Sequence, residues 1–333
     1  MKAAYIEATG TPDAIQIGEL PTPEPKAGEV RVRVSSASVN PIDTYIRAGI
    51  AKMELPFPFI LGADFGGTVE ALGAGATAFQ VGDRVWGSNQ GMLGRQGTFA
   101  EYACVNEAYS YPIPAGVSDE AVSAVALVGI TAHLGLVLRA RLQKGETVFV
   151  NGGTGGVGAM VVQIAKALGA KVIATVGTPA KGELAVSLGA DHVINYKTEN
   201  VAEAVKAATG GRGVDVWYET TPPTDFDATV DLMAANGRIV VMAGRAARPV
   251  LPNGPFYVKG LSLLGFAMFN APLAVQREAA MDINRWLAEG SLKPVIGEVF
   301  PLAETAAAHR LQEANTLGKA GTLTGKIVLK IPG

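Results

Sequence analysis

The stretch VFVNGGTGGVGAMVVQIAKALGAKVIATVGTPAK, residues 148 to 181, constrains the fold more than any other part of the chain. An apolar run enters a glycine-dense turn, a helical segment follows, and a second apolar run closes the unit. Gly153, Gly155 and Gly158 form G-x-G-x-x-G, which alone is a weak signal. Here it lies directly after a strand and opens a helix, the context in which the pattern has a mechanism. The first glycine makes the tight turn. The second lets backbone approach a pyrophosphate, and the third lets the helix sit close on the strand. Thr154, Gly156 and Val157 complete the turn. The helix N-terminus offers free N–H groups and a positive dipole end to phosphate.

The second apolar run carries the next constraint. In NAD-selective versions of this unit an acidic residue follows about 20 residues on and binds the ribose 2′-hydroxyl. Nineteen residues after Gly158 comes Gly177, then Thr178 and Lys181. A carboxylate there would repel a 2′-phosphate, whereas a glycine with a nearby lysine accepts one. Tyr196, after the third strand, is placed to flank the adenine ribose. The expected cofactor is therefore NADPH rather than NADH.

Two textures alternate along the chain. Residues 1 to about 120 are rich in valine, glycine and proline, in short alternating runs such as EVRVRVSSASV, and predict a small, mostly β domain. From 129 to 266 the pattern becomes strand, helix, strand, helix, with strands expected at 147–151, 171–175, 192–195, 214–219, 237–242 and 261–266. The link 243–260 reads as loop. Parallel strands need such crossovers, so the fold class is α/β, a doubly wound parallel sheet with helices on both faces. A helix at about 272–289 and a final apolar strand return to the first texture. The expected organisation is one β-rich domain, 1–128 with 267–333, into which a dinucleotide-binding domain, 129–266, is inserted, with a cleft between them. Ligands bind beyond the carboxyl ends of strands in such sheets. Thr220 after the fourth strand, Ala243, Gly244 and Arg245 after the fifth, and Phe266, Ala267 and Met268 after the sixth are thus candidate cofactor contacts.

Composition narrows the function classes. Net charge is −2 over 333 residues with no basic run, so no nucleic-acid partner is expected. Cys104 is the one cysteine, which excludes intrachain disulfides and cysteine-rich zinc sites and fits a reducing, cytoplasmic setting. The start lacks the apolar core of a signal peptide. The most apolar window, 121–138, contains Ser123, Thr131 and His133 and reads as a buried helix rather than a membrane span.

The segments SVNPIDTYIRAG (38–49), LGADFGGTVEALG (61–73), VGDRVWG (81–87), QGTFAEYACV (96–105), GITAHLGL (129–136) and NGGTGGVG (151–158) together resemble the medium-chain dehydrogenase/reductase superfamily. Within it the chain is most similar to the zinc-independent quinone oxidoreductases, the zeta-crystallin-like family, over nearly its whole length. The resemblance implies a GroES-like catalytic domain, a Rossmann domain and NADPH between them. Zinc members supply a cysteine and a Gly-His-Glu segment as ligands. Here Asn40 stands for the cysteine and Gly62-Ala63-Asp64 for Gly-His-Glu, so no metal is expected. The favoured chemistry is reduction of an electron-poor carbon, in a quinone or an enone.

The resemblance also implies that Asn40 and Thr131 contact the nicotinamide end, although Asn40 as a turn residue and Thr131 as a cap at a helix start stay open. Asp43 and Arg47 lie at i and i+4, where a mutual ion pair and a substrate role are both open. Tyr45 is a candidate proton donor or a packed tyrosine. Lys319 is a second candidate phosphate contact or a solvated lysine. Relatives often carry a tyrosine soon after R-x-G; here the run is RAGIAKMELPFP, with Ile50 and Ala51 in that place. That weakens an enoyl-thioester reading and leaves Met53, Phe57 and Met92 as expected apolar walls. A quinone takes its protons from water and loses least. The alternatives are an NADPH-dependent alkene reductase and a weakly catalytic NADPH binder. The apolar sixth strand, 261–266, is expected to pair two subunits in a homodimer, as in the family.

Overall fold

The structure is a computed structural model and describes residues 1–332. The chain divides into two compact units. One comprises Met1–Leu127, Ala280–Gly290 and the residues from Pro294 onward; the other comprises Val128–Ala279 and Ser291–Lys293.

The β-rich unit opens with β1 (Lys2–Ile6), β2 (Gln16–Glu19) and β3 (Glu29–Val39). Then come α1 (Pro41–Arg47), β4 (Phe59–Ile60), β5 (Phe65–Leu72), β6 (Arg84–Gly87), β7 (Tyr102–Asn106) and β8 (Ser110–Pro112). Helix α2 (Asp119–His133) follows and continues as a π-helical turn over Leu134–Arg139. The second unit holds β9 (Thr147–Asn151), α3 (Gly156–Ala167), β10 (Lys171–Val176), α4 (Pro179–Ser187), β11 (His192–Asn195) and α5 (Val201–Ala208). It continues with β12 (Val214–Glu219), α6 (Phe226–Leu232), β13 (Met233–Val241), α7 (Asn253–Val258) and β14 (Ser262–Gly265). Helix α8 (Leu273–Ala288) then leads back to β15 (Ile296–Pro301), α9 (Thr305–Thr316) and β16 (Lys326–Lys330) in the first unit.

Strand β3 organises the β-rich unit. It pairs with β5, β7 and β16 in a sheet ordered β15-β16-β3-β5-β6-β8. Its first half alternates, with Val30, Val32 and Val34 fully buried. Its second half, Ser36 to Val39, is buried on both faces, so the alternation stops and serines enter the interior. Each buried hydroxyl finds a partner: Ser36 shares a hydrogen bond with Ser123 at 2.7 Å, and Ser38 donates to Asp64 at 2.8 Å.

The second unit is an all-parallel sheet ordered β11-β10-β9-β12-β13-β14. The order reverses between β9 and β12, the switch point of a doubly wound fold. β9 reads TVFVN, with Val148, Phe149 and Val150 buried, as a strand covered on both faces requires. Phe149 stacks on Trp217 of β12 with ring centroids 3.9 Å apart. Tyr218 points to the other face and donates its hydroxyl to the carbonyl of Thr131 at 3.0 Å.

Some expectations need correcting. The link 243–260 contains the short helix α7, and the fifth strand begins at Met233 rather than 237. Residues 267–279 group with the parallel-sheet unit. The helical run Asp119–Arg139 is long and apolar enough to cross a membrane, but 78% of its apolar window is buried within the fold. Thr131 lies one turn from the end of α2, so it is not a cap at a helix start.

A Cβ on Gly135 would lie 2.3 Å from the Tyr218 hydroxyl and 2.4 Å from its ring. Gly135→Ala is expected to destabilise this unit by about 1–3 kcal/mol through overpacking. Tyr218→Phe should cost about 0.5–1.5 kcal/mol for one lost buried hydrogen bond. Urea unfolding followed by circular dichroism checks both, and a neutral Gly135→Ala would contradict the packing described.

Candidate functional site

The glycine turn is held from beneath by buried polar groups. Gly152 N–H donates to Thr175 Oγ1 at 2.9 Å, and Gly153 N–H donates to the Thr175 carbonyl at 2.9 Å. Thr175 Oγ1 donates to Asn151 Oδ1 at 2.8 Å, and Asn151 Nδ2 donates to Glu219 at 2.9 Å. Glu219 also accepts from Trp217 Nε1 at 3.2 Å and from the Thr221 N–H at 2.7 Å. Burial raises its carboxyl above the usual range, and these donors oppose the shift. Thr220 gives its hydroxyl to the Asn151 carbonyl, so its side chain supports the turn. Asn151, Thr175 and Glu219 were not singled out from sequence; each ends or nearly ends a strand beside the switch point.

The three glycines have different reasons. The positive φ of +83° belongs to Gly152, so that residue, rather than Gly153, makes the tight turn. A Cβ on Gly153 would sit 2.6 Å from Ala174 Cβ on β10. One on Gly158 would sit 2.0 Å from the Gly152 carbonyl, so it is the turn itself that α3 approaches closely. Gly155 is exposed and caps α3, and a Cβ there would meet only the Gly152 carbonyl at 3.7 Å. Protein packing does not require a glycine at 155. Thr154 and Gly158 are buried, while Gly156 and Val157 are half-buried in the first turn of α3.

At the end of β10 a Cβ on Gly177 would lie 2.6 Å from the Tyr196 hydroxyl, so the tyrosine fills the place where an acidic side chain would stand. Thr178 caps α4 and accepts from the Lys181 N–H at 3.3 Å. The Lys181 ammonium is pushed below its ordinary value, first by partial burial and then by Lys197. The Lys181 and Lys197 ammonium groups thus repel each other. The sequence reading found Lys181 and missed Lys197, which follows Tyr196 directly.

The other expected cofactor contacts are scattered. Ala243 and Arg245 are exposed on the loop after β13, with Gly244 between them at φ +86°. Phe266 and Ala267 are half-buried after β14, and Met268 is buried in a short 3₁₀ turn. Lys319 is exposed on the loop after α9, in the β-rich unit.

In that unit, Asn40, Asp43 and Asp64 converge on a residue the sequence reading passed over, Lys326 of β16. Asn40, Asp43, Asp64 and Lys326 are all buried. Lys326 Nζ donates to the Val39 carbonyl at 2.6 Å and to Asn40 Oδ1. Asn40 Nδ2 donates to Asp64 Oδ2 at 2.7 Å, and the Asn40 N–H donates to Asp43 Oδ2 at 2.7 Å. Burial, then the neighbouring Asp64, push the Asp43 carboxyl up to about 7. Ala63 brings only a methyl group to this interior. Arg47 does not pair with Asp43: its guanidinium is buried against Glu313 of α9 and the Gly10 carbonyl. Tyr45 is half-buried, and desolvation holds its hydroxyl above the ordinary phenol value. Met53 and Phe57 retain exposure, whereas Met92, expected as a wall, is core. No three His, Cys, Asp or Glu side chains form a metal-holding group among the described residues.

The contrast among the glycines is testable. Gly158→Ala should lower unfolding stability by about 1–3 kcal/mol through overpacking. Gly155→Ala should stay within about 0.5 kcal/mol, the usual range for substitutions away from packed features. Equal losses in urea unfolding would contradict the assignment of open space at Gly155.

Comparison with known proteins places the chain. Residues 26–115 match the family model described as the alcohol dehydrogenase GroES-like domain, and residues 156–284 match the zinc-binding dehydrogenase model. Human quinone oxidoreductase is 31% identical over 330 residues, covering 99% of this chain and 97% of that protein. A solved structure described as an NAD-dependent alcohol dehydrogenase superposes with a TM-score of 0.91 at 34% identity, covering 100% of both chains. The Escherichia coli quinone oxidoreductase structure, complexed with NADPH, superposes with a TM-score of 0.87 at 27% identity, covering 99% of this chain and 100% of that one. With a GroES-like unit, a six-stranded parallel Rossmann sheet and full-length similarity, the chain belongs to the quinone oxidoreductase family of the medium-chain dehydrogenase/reductase superfamily.

Proposed function

We propose that the protein is an NADPH-dependent oxidoreductase that delivers hydride to a quinone, without a metal ion. The observation that carries the cofactor reading is the group around Gly177. No carboxylate stands there to take a ribose 2′-hydroxyl, and Lys181, Lys197 and Tyr196 offer two charges and a hydroxyl to a 2′-phosphate. The open space at Gly155 and the first N–H groups of α3 suit a pyrophosphate. Asn40 and Thr131 are assigned to the nicotinamide end, and the segments 243–245 and 266–268 to the lining of the cofactor site. The E. coli neighbour with NADPH supports this reading, while the NAD-dependent neighbour makes Gly177 and its lysines the features that decide the choice.

When bound, reduced nicotinamide supplies the hydride; the chain's own part is placement and electrostatics. The residues at the zinc-ligand positions, Asn40, Ala63 and Asp64, present one carboxylate and neither imidazole nor thiolate, a poor set for zinc. Ile50 and Ala51 leave no fixed acid after the first motif. A quinone that accepts hydride becomes a hydroquinone anion and takes its proton from water, so it tolerates that lack better than an enoyl thioester does. The relatives named quinone oxidoreductases support this acceptor class.

We also assign a two-fold dimer through β14, which ends the sheet order and leaves Leu263 41% exposed on a strand with one paired edge. The single thiol, Cys104, suits a reducing, cytoplasmic setting.

Two measurements test these readings. Purified, metal-free protein should oxidise NADPH with an ortho-quinone acceptor faster than NADH, and Lys181→Ala with Lys197→Ala should raise the NADPH dissociation constant by about tenfold or more, equivalent to about 1.4 kcal/mol, with little change for NADH. Equal effects on both cofactors would remove the phosphate role. Solution scattering at micromolar concentration should give twice the chain mass, and a monomeric mass would contradict the dimer.

A further inference from the structure

We infer that Lys326 is a positioning residue for this site: its ammonium locks the Asn40 carboxamide in one orientation and with it the start of α1. The inference rests on the reading of Asn40 as part of the nicotinamide end.

The two ends of a carboxamide are nearly the same size, so shape alone does not choose its orientation. Charge chooses it here. An ammonium only donates and an ionised carboxylate only accepts. Lys326 must therefore face Asn40 Oδ1, which leaves Asn40 Nδ2 to donate to Asp64, whose carboxyl burial holds above its ordinary range. Lys326 also donates to the Val39 carbonyl at 2.6 Å, immediately before Asn40. The Asn40 N–H donates in turn to Asp43 on the first turn of α1. One cation on the last strand thus fixes two groups, the Val39 carbonyl and the Asn40 carboxamide, in a segment 287 residues earlier in the chain.

The charges that act on Lys326 are Asp64 and Asp43. Helix α9, which packs on β16, carries His309, Arg310 and Glu313, engaged with Phe99, Asp13 and Arg47 respectively. Burial lowers the Lys326 ammonium to about 8, against the pull of both carboxylates. With Asp43 pushed up to about 7, its carboxyl is about half protonated near neutrality, which lessens the negative charge beside Lys326. Above about 8 the ammonium becomes an amine. An amine accepts as well as donates, so the orientation of Asn40 is no longer forced.

The experiment compares wild type with Lys326→Met and with the charge-balanced pair Lys326→Met/Asp64→Asn, which removes a cation and an anion together and guards against misfolding. The profile of kcat/KM for the quinone against pH is measured with NADPH as donor. Wild type should lose activity on the alkaline side near pH 8. The double variant should lack that limb and run about tenfold or more below wild type at pH 7, as small misplacement of reacting groups does. A double variant with wild-type kcat/KM and an unchanged profile overturns the inference. If wild type reduces an enal but not the quinone, the acceptor proposed above is wrong, and the same comparison is read with the enal. If it reduces neither, the proposed function fails, and the NADPH dissociation constant is followed against pH in both proteins: divergent profiles support the role of Lys326, and superimposable ones overturn it.

Discussion

An ammonium ion in a protein interior has to be matched by groups that accept from it, because the cost of taking it out of water is several kcal/mol or about that order even after relaxation. Lys326 imposes that condition on the β-rich unit. It fixes where the Val39 carbonyl, the Asn40 amide and the Asp64 carboxylate can lie, and so joins β3, α1, the segment after β4 and β16. The serines in the second half of β3 belong to the same logic. Ser38 gives Asp64 a further donor, which a valine in its place would remove. The strand therefore changes from alternating valines to buried polar residues where it approaches this cluster.

The parallel-sheet unit solves a similar problem with one carboxylate. Glu219 at the end of β12 gathers Asn151, Trp217 and the Thr221 N–H, and through Asn151 and Thr175 it sets the turn at Gly152. The glycine pattern supplies permission for a close turn, and these polar groups supply its actual shape. A glycine turn without that support would have many backbone conformations to choose from.

The family match transfers the fold more securely than the chemistry. A model described as zinc-binding covers residues 156–284, whereas the family resemblance puts Asn40, Ala63 and Asp64 at the positions that carry ligands in zinc members. Function resides in the site that a fold carries. Here the same scaffold presents a lysine-centred cluster of oxygen and nitrogen groups.

The sequence by itself determined the Rossmann unit almost residue by residue. The expected strands at 147–151, 192–195 and 214–219 coincide with β9, β11 and β12, because buried parallel strands are short apolar runs closed by turn residues. It also determined the two-texture layout and the acid-free end of β10, which are local properties. It missed α7, whose segment NGPFYV has no helical periodicity of its own. It left the partner of Arg47 open, and the spacing that allowed Asp43 gave no hint of Glu313, which lies 266 residues away. Lys326 stayed invisible for the same reason: in GKIVLKI it reads as the first residue of an ordinary strand. Only the tertiary structure decided that this strand runs beside β3 with its lysine turned inward, because strand pairing, not sequence proximity, brings Val39 and Asn40 to it.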